Sequence, residues 1–433
     1  MTTEPHTPAS GARQRPAPAP AAPPVPAHRD GTVLRWLTAY TATMIGDGVY
    51  FLALGWAAQR TTSPAGVGVV MAAGAVPRAL LLLGGGVLAD RFGPRPVLLG
   101  SDAVRCVVVL GAAAVLLLSG PSLGLLLAVA LVFGLVDALF LPAVGALPAR
   151  LTDPGQLARV QGMKGLAVRA GNVTGPPLGG LALAYGDLPL AFACAGGLFT
   201  LSLALLLTVR VRPPAHGVPW PRTEGPLRGQ LTGGLRYLAR HPLLARLTLG
   251  NALSELALIG PLNVGLVLLA AERGWGAAGV GWMVSAFGAG AAVSTLLLAV
   301  RGRVPRAGAV QIGAMAAASL SLGTLGLSPG LGGAMASAGL AGVAGGLAGA
   351  VSRSLVQTTA DPAQLGRVTA VTDLTTLGLA PLTYPLFAAA AALWGTPQVF
   401  AASGVLGLTG TAITVTARAV RGAELPPPTR ATA

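Results

Sequence analysis

The octapeptide DPGQLARV at residues 153–160 returns as DPAQLGRV at residues 361–368. The two copies begin at residues 153 and 361, so they are offset by 208 residues in a chain of 433. Arg95 and Arg303 are separated by the same 208 residues, and both lie in short basic loops. Each octapeptide precedes a long apolar segment that contains prolines. The repeat indicates that the chain contains two copies of one structural unit.

Apolar segments follow one another on both sides of the repeat. Hydrophobic residues make up 53% of the chain and charged residues only 10%, with a mean hydropathy of +0.69. Soluble domains carry roughly 25% charged residues, and a helix that spans a bilayer needs about 20 apolar residues. The sequence therefore predicts an all-α membrane protein with twelve transmembrane helices in two pseudo-symmetric six-helix bundles, residues 33–209 and 243–418. The predicted spans are 33–59, 65–89, 97–119, 122–147, 156–183, 188–209, 243–271, 276–300, 308–327, 331–353, 366–390 and 397–418.

Three polar segments flank and join the predicted bundles. Residues 1–32 are rich in proline and lack the apolar core of a signal peptide, which predicts a disordered cytoplasmic tail. Residues 210–242 form a cytoplasmic linker that is Pro-rich at first, and residues 227–240 then have the pattern of a basic amphipathic helix. We expect this helix on the inner membrane surface. Residues 419–433 form a C-terminal cytoplasmic tail.

The basic residues lie mainly on one side of the predicted membrane. With the N-terminus inside, 23 of the 29 basic residues fall in cytoplasmic segments, and only Arg60 and Arg273 fall in external ones. This positive-inside bias predicts a multi-pass protein of the inner (cytoplasmic) membrane with both termini cytoplasmic. The same bias explains the net charge of +15, because the basic residues face the lipid bilayer that is the expected partner. No nucleic-acid partner is expected.

The sequence lacks the residues that several classes of chemistry need. The two cysteines, Cys106 and Cys194, exclude a disulfide framework and a multi-cysteine metal site. The only lysine, Lys164, precedes glycine, so no nucleotide-binding loop is present. We therefore expect no enzymatic activity, no cofactor and no metal. The four histidines lie outside the predicted spans; they are His6, His28, His216 and His241.

The loop after the second span reads GVLADRFGPRP, residues 86–96. It resembles the signature cytoplasmic loop of the major facilitator superfamily, G-x-x-x-D-R-x-G-R-R/K, with Pro94 in place of a basic residue. The resemblance implies a conformational latch between the two halves. The second-half copy at residues 301–306 lacks the acid and is degenerate. The residues expected to form the latch are Gly86, Asp90, Arg91, Gly93 and Arg95.

The fifth span contains GNVTGPPLGG, residues 171–180. Three of its glycines are four residues apart, so they form a stripe on which a neighbouring helix can pack closely, and its prolines interrupt backbone hydrogen bonds. The segment resembles the G-x-x-x-G-P-x-x-G-G motif of the superfamily's antiporters, which are mainly exporters. A purely structural role for the small residues is the alternative. The residues of the motif are Gly171, Gly175, Pro176, Gly179 and Gly180.

Three shorter patterns indicate one branch of the superfamily. IGDG at residues 45–48, SDAVR at 101–105 and LPA at 141–143 are similar to the branch of drug:proton antiporters that includes the enterobactin exporter and the macrolide-efflux proteins. The arginine motif of the fourth span, common in proton-coupled drug exporters, is absent, since no arginine lies between residues 122 and 149.

Besides Asp102, four carboxylates lie within the predicted spans. An ionisable residue there costs about 2.5–3.5 kcal/mol on insertion scales, so it indicates function. An apolar environment favours the neutral form of a carboxylic acid, which can then carry a proton. Structural ion pairs are the alternative, and Asp102, near a helix end, is expected to be structural. The candidate proton carriers, in order of preference, are Asp47 and Glu255, then Asp137 and Asp373, with Arg105 and Arg169 as ion-pair partners.

Amides and aromatic rings are the candidates for binding the transported compound. They suit an amphiphilic organic molecule because they hydrogen-bond and stack. An aromatic residue near the end of a span can instead be an interfacial anchor. The cavity candidates are Tyr40, Tyr50, Asn172, Asn251 and Asn263.

The sequence thus predicts a secondary transporter, a monomer that exports a small organic compound (a drug, antibiotic or siderophore-like metabolite) by alternating access in exchange for protons. An importer or facilitator on the same fold is the first alternative. A non-transporting sensor or scaffold is the second, and it would call for an appended soluble domain, whereas the longest polar stretch between the bundles is residues 210–242.

Overall fold

A computed structural model describes residues 26–209, 227–301, 304–361 and 364–425; for residues 82–91, 154, 227–231, 370, 373, 376 and 377 it describes the backbone alone. Every regular element in these ranges is helical. The helices are α1 Gly31–Thr61, α2 Pro64–Phe92, α3 Pro94–Ser119, α4 Leu123–Ala146, α5 Pro148–Leu151, α6 Leu157–Thr208, α7 Leu227–Arg240, α8 Pro242–Gly260, α9 Leu266–Glu272, α10 Gly276–Arg301, α11 Ala307–Leu327, α12 Leu331–Thr359, α13 Leu365–Gly378, α14 Ala380–Trp394, α15 Thr396–Thr416 and α16 Arg418–Arg421. A 3₁₀ turn, Pro154–Gln156, precedes α6, and a π-helical turn, Pro261–Gly265, joins α8 to α9.

Local signals explain where the long helices begin. The side chain of Asp30 caps α1 by accepting a hydrogen bond from the backbone N–H of Thr32 at 2.8 Å. Ser63 caps α2 and is followed by proline in its first turn. Ser122 caps α4 in the same way. These caps lie at the polar breaks between apolar segments, so the caps and the hydropathy indicate the same boundaries.

Nine helical stretches of the described residues are long and apolar enough to cross a membrane. The helix α6, 52 residues long, is one of them, yet it covers two predicted spans because its backbone is non-helical at Gly186 and Asp187. The predicted span 366–390 coincides with two shorter helices, α13 and α14, that meet before Pro381. The all-α membrane fold is confirmed, and the exact number of twelve spans stays a prediction.

The two halves pack their helices in the same way. In the first half α2 packs on α4, and α3 packs on α4 and α6. In the second half α10 packs on α12, and α11 packs on α12 and α15. The halves meet along two equivalent seams, α2 against α14 and α6 against α10. This arrangement is the pseudo-symmetric pair of bundles that the repeat predicts.

Parts of several predictions lie outside the described residues. They are the tails at residues 1–25 and 426–433, the Pro-rich linker at 210–226, Arg303, and two residues of the second octapeptide, 362 and 363. The helix α7 covers the segment 227–240. It packs against α13, and the hydroxyl of Tyr237 accepts a hydrogen bond from the backbone N–H of Asp361 at 3.1 Å.

Candidate functional site

A cluster of charges lies inside the first half, around the guanidinium group of Arg105. This residue is on α3, and only 1% of its surface is exposed. Its Nη2 atom lies 2.5 Å from Oδ1 of Asp137 on α4. Its Nη1 atom lies 3.7 Å from Oδ1 of Asp102 and 3.8 Å from Oδ1 of Asp47 on α1. One cation therefore faces three carboxylates from three helices.

Aromatic rings enclose the same guanidinium. Its central carbon lies 4.1 Å from the ring centroid of Phe140, 5.0 Å from that of Phe133 and 5.7 Å from that of Phe199. A cation is attracted to the face of an aromatic ring, most strongly where water is excluded. The rings therefore help to hold a charge that the apolar interior disfavours.

The three carboxylates differ in how far they are neutralised. Asp137 has a second cation, because Nη1 of Arg78 on α2 lies 3.3 Å from its Oδ2. Asp102 accepts a hydrogen bond from the hydroxyl of Ser202 at 2.6 Å. Asp47 has only the long contact to Arg105, and its Oδ1 accepts no hydrogen bond. Among the described residues of this cluster, Asp47 is thus the carboxylate with the weakest partners and is the best placed to bind a proton.

A narrow pocket lies between this cluster and the seam between the halves. Its lining includes Arg78 and Asp137 of the first half and Tyr384 of α14 in the second. Tyr50 also lines it; its ring centroid lies 3.8 Å from that of Phe133, and its hydroxyl makes no hydrogen bond. The charge cluster therefore adjoins the surface along which the halves would move.

A larger cleft of about 1040 Å³ lies between the halves. The first half lines it with residues of α1, α2 and α6, and the second half with residues of the π-helical turn, α9 and α10. Most of its lining is apolar and includes the rings of Phe51 and Phe287. Its polar side chains are Arg169 and Asn172 on α6 and Asn263 on the π-helical turn. Its mixed apolar and polar lining suits a small organic molecule.

The second half holds a separate polar cleft of about 800 Å³. Glu255 on α8 and Arg353 on α12 both line it, but their charged groups are not within 4.0 Å of each other. Beside them, Nδ2 of Asn251 donates a hydrogen bond to Oγ of Ser352, and Nε2 of Gln311 donates to Oδ1 of Asn251 at 3.1 Å. Neutral groups thus dominate the polar interior of this half.

The glycine-rich segment of α6 packs against two helices at once. A Cβ added at Gly175 would lie 2.8 Å from the carbonyl oxygen of Ile45, and one added at Gly179 would lie 3.1 Å from Cα of Val49, both on α1. A Cβ at Gly180 would lie 2.9 Å from Cα of Ala278, on α10 in the other half. Glycine is needed at these positions because any side chain would push α6 away from its neighbours.

The latch segment is described in part. Gly86, Asp90 and Arg91 lie on α2 where the structure describes the backbone alone. Gly93 has φ +82°, the conformation that favours glycine. Arg95 donates a hydrogen bond from Nη2 to the carbonyl oxygen of Leu207, in the last turn of α6, at 3.0 Å.

The structure brings some of the predicted site residues together and separates others. Asp47, Asp137 and Arg105 share the charge cluster, whereas Glu255 lies in the second half and the side chain of Asp373 lies outside the described residues. Arg169, expected to be an ion-pair partner, has no acidic partner within 4.0 Å in the described part of the chain and donates to Oγ1 of Thr295 at 3.0 Å.

The predicted cavity residues are distributed over different sites. Asn172 and Asn263 line the central cleft. Tyr50 lines the cavity beside the charge cluster, and Asn251 lines the cleft of the second half. Tyr40 is buried near the start of α1, with its ring 5.6 Å from Nζ of Lys164.

Sequence reasoning missed two members of the charge cluster. Arg78 is within a predicted span but was not expected to pair with Asp137, and Asp102, expected near a helix end, is fully buried. The spacing of Asp102 and Arg105, three residues apart on one helix, is a signal that could have placed both on the same face.

Comparison with known proteins agrees with this architecture. The family model described as Major Facilitator Superfamily matches residues 36–372. An enterobactin exporter, EntS, of Escherichia coli O127:H6 (strain E2348/69 / EPEC) is 30% identical over 269 residues, which is 62% of this chain and 62% of that protein. The chain therefore spans less than two thirds of the length of these curated relatives.

Solved structures of transporters share the fold. A bacterial homolog of the human lysosomal transporter Spinster superposes with a TM-score of 0.68 at 16% identity, covering 94% of this chain and 100% of that one. The xylose transporter XylE from E. coli superposes with a TM-score of 0.64 at 16% identity, covering 89% of this chain and 94% of that one.

Proposed function

This chain belongs to the major facilitator superfamily, and from that premise we propose that it exports a small organic compound by alternating access in exchange for protons. It would act as a monomer in the inner (cytoplasmic) membrane, with both termini in the cytoplasm. The observation that carries the proposal is the buried cluster in which three carboxylates surround Arg105, because uncompensated charge within a membrane span indicates function.

Asp47 is the proposed proton carrier. Asp137 and Asp102 have strong partners at 2.5 and 2.6 Å, whereas Asp47 has one cation at 3.8 Å and an oxygen with no hydrogen bond. A carboxylate held in this way gains least from staying ionised, so it binds and releases a proton most readily as access alternates. Asp137 then serves as a fixed counter-ion, and Glu255 becomes the second candidate carrier.

Close contacts at the two seams indicate how access to the central cleft would alternate between the two sides of the membrane. A Cβ at Gly281 on α10 would lie 2.6 Å from the carbonyl oxygen of Pro176, and one at Gly68 on α2 would lie 2.7 Å from that of Tyr384. Both contacts join the halves at the end of the bundles that the basic-residue bias predicts to be external. The halves would separate there when they rock about the central cleft.

The transported compound is proposed by class. The named relative is an enterobactin exporter, and the antiporter-type segment of α6 resembles that of exporters. A siderophore-like metabolite, a drug or an antibiotic agrees with the mixed apolar and polar lining of the central cleft.

Transport into inverted membrane vesicles tests both the direction and the coupling. Growth-inhibition profiling of a host that lacks its own exporters, with and without this chain, first identifies a compound. Inverted vesicles that contain the chain should then accumulate that compound when their interior is acidified. Asp47→Asn should abolish the accumulation driven by the pH gradient while leaving the amount of inserted protein unchanged.

The matched control is Asp187→Asn, which removes a carboxylate that pairs with Arg60 away from the cluster. This variant should accumulate the compound normally. Normal accumulation by Asp47→Asn would exclude Asp47 as the carrier and direct the test to Glu255→Gln. Uptake by right-side-out vesicles alone would identify an importer.

A further inference from the structure

The central cleft contains a cation that has no ion-pair partner among the residues whose side chains the structure describes. Arg169 on α6 lines the cleft, and its recorded polar partner is the hydroxyl of Thr295 on α10, at 3.0 Å from Nη2. No carboxylate of the described residues lies within 4.0 Å of its guanidinium group. The described residues that line the cleft include no Asp or Glu. The remaining N–H groups of Arg169 are therefore available to a ligand.

This free cation contrasts with the other arginines inside the first half. Arg105 contacts three carboxylates and Arg78 contacts one, so the cost of placing each charge among the helices is offset within the protein. An arginine within a membrane span is costly unless its charge is compensated. Since the described side chains supply no counter-ion for Arg169, an anionic ligand is the natural source of one.

Two amides extend the polar side of the cleft. Asn172 lies three residues after Arg169 on α6, so the two side chains are on neighbouring positions of one helix face. Asn263 projects from the π-helical turn of the other half; its Nδ2 donates to the carbonyl oxygen of Ile259 at 2.9 Å, which leaves its Oδ1 as an acceptor. Turns of this kind occur often at functional sites. Together they can accept and donate hydrogen bonds to hydroxyl or amide groups of a ligand.

The rest of the cleft is apolar. Phe51 on α1 and Phe287 on α10 contribute rings from opposite halves, and aliphatic side chains fill the surface between them. A flat apolar body would bury its area against both rings, while its charged end faces Arg169.

We propose that the central cleft binds amphipathic organic anions, with Arg169 as the residue that recognises the acidic group. A guanidinium group binds a carboxylate or sulfonate through two parallel N–H···O hydrogen bonds. Asn172 and Asn263 bind the polar groups next to it, and Phe51 and Phe287 contact the apolar body. The proposal rests on the proposed function in one respect only, that the cleft is the binding site of a transporter.

Equilibrium binding with two matched dyes tests the proposal without any transport. Anilinonaphthalene sulfonate carries one sulfonate, and phenylnaphthylamine is its uncharged parent with the same rings. The whole chain in zwitterionic lipid nanodiscs should bind the sulfonate more tightly than the parent. Arg169→Gln should weaken binding of the sulfonate by at least about tenfold, since charged hydrogen bonds are the strong ones, and should change binding of the parent by less than about twofold.

Two further variants control for folding and for net charge. Arg169→Lys keeps the positive charge without the paired donors, so its affinity for the sulfonate should lie between those of the wild type and Arg169→Gln. Arg273→Gln removes an exposed arginine outside the cleft and should bind both dyes as the wild type does. Equal weakening of both dyes in Arg169→Gln, or no preference for the sulfonate in the wild type, would overturn the proposal.

The outcome is separable from that of the transport experiment. Loss of proton-driven accumulation in Asp47→Asn concerns coupling, and this variant should keep the preference for the sulfonate. If the vesicles showed no export while the purified protein kept an Arg169-dependent preference for the sulfonate, the proposed export function would be contradicted and the anion-binding site would still be supported.

Discussion

The two halves of the molecule share one helix arrangement and differ in the chemistry of their interiors. In the first half, Arg105 faces three carboxylates at 2.5–3.8 Å, and a second arginine contacts one of them. In the second half, Asn251, Gln311 and Ser352 form a chain of neutral hydrogen bonds, and Glu255 shares a cleft with Arg353 without a close ion pair. The duplicated fold was therefore kept while the polar groups inside it diverged.

This difference indicates a division of labour. A charged cluster responds to protons, because adding a proton to one carboxylate changes the energy of every neighbouring charge. A neutral hydrogen-bond network does not change in this way, and it holds its helices in one arrangement. We infer that the first half senses the proton and that the second half follows as a more rigid body about the shared cleft.

Removing one arginine from each half should give the largest difference in the free energy of unfolding. Arg105→Met leaves Asp47 and Asp102 without a cation within 4.0 Å among the described residues, and breaking a buried ion pair costs about 3–5 kcal/mol. The matched variant Arg353→Met removes an exposed arginine with no close carboxylate partner in the described structure, so it should cost less than about 1 kcal/mol. Unfolding by sodium dodecyl sulfate titration in mixed micelles measures both free energies.

A double variant separates charge imbalance from lost packing at Arg105. Arg105→Met combined with Asp102→Asn removes one of the uncompensated carboxylates and should recover part of the lost stability. Equal losses for Arg105→Met and Arg353→Met would remove the distinction between the two interiors.

The seams between the halves predict a symmetric response. At Gly68 on α2 and Gly281 on α10, a Cβ would meet a backbone carbonyl oxygen of the opposite half at 2.7 and 2.6 Å. Overpacking costs about 1–3 kcal/mol, here only in the state where these ends are closed. Gly68→Val and Gly281→Val should each lower the transport rate by about tenfold, measured in the vesicle assay at equal protein content.

Gly197→Val is the control for the seam variants, because no atom of a neighbouring helix lies within 4 Å of a Cβ at that position. It should transport at the wild-type rate. A loss at only one of the two seam positions would show that the halves do not rock as equivalent bodies.

Sequence reasoning located the helices more successfully than the site. Spans are visible in the sequence because a lipid-buried helix must be apolar along about 20 residues, and the repeat between residues 153 and 361 shows the duplication. Even the division of α6 at Gly186 and Asp187 agrees with the gap between two predicted spans. The number of crossings is harder to settle, since prolines divide the predicted span 366–390 into α13 and α14.

The rotation of each helix about its axis was the part that could not be predicted. Apolar and small residues surround these helices on all sides, so no polar face shows which way a buried charge points. Asp47, Asp137 and Arg105 were singled out from the sequence as charges within the predicted spans, but the pairing of Arg78 with Asp137 and the position of Arg169 depend on helix packing. Burial of Asp102 likewise depends on Ser202, which is 100 residues away in the sequence.

Replacing one buried serine in each half with alanine should give the smallest effect, and it directly compares the charged interior of the first half with the neutral interior of the second. Ser202 donates to a carboxylate at 2.6 Å, and hydrogen bonds to charged groups contribute about 1.5–3 kcal/mol. Ser352 accepts from a neutral amide, a bond that contributes about 0.5–1.5 kcal/mol. In the same unfolding titration, Ser202→Ala should therefore be the more destabilising variant by about 1 kcal/mol. Because both serines are buried and lose the same atom, a reversed order would contradict the contrast between a charged interior in the first half and a neutral one in the second.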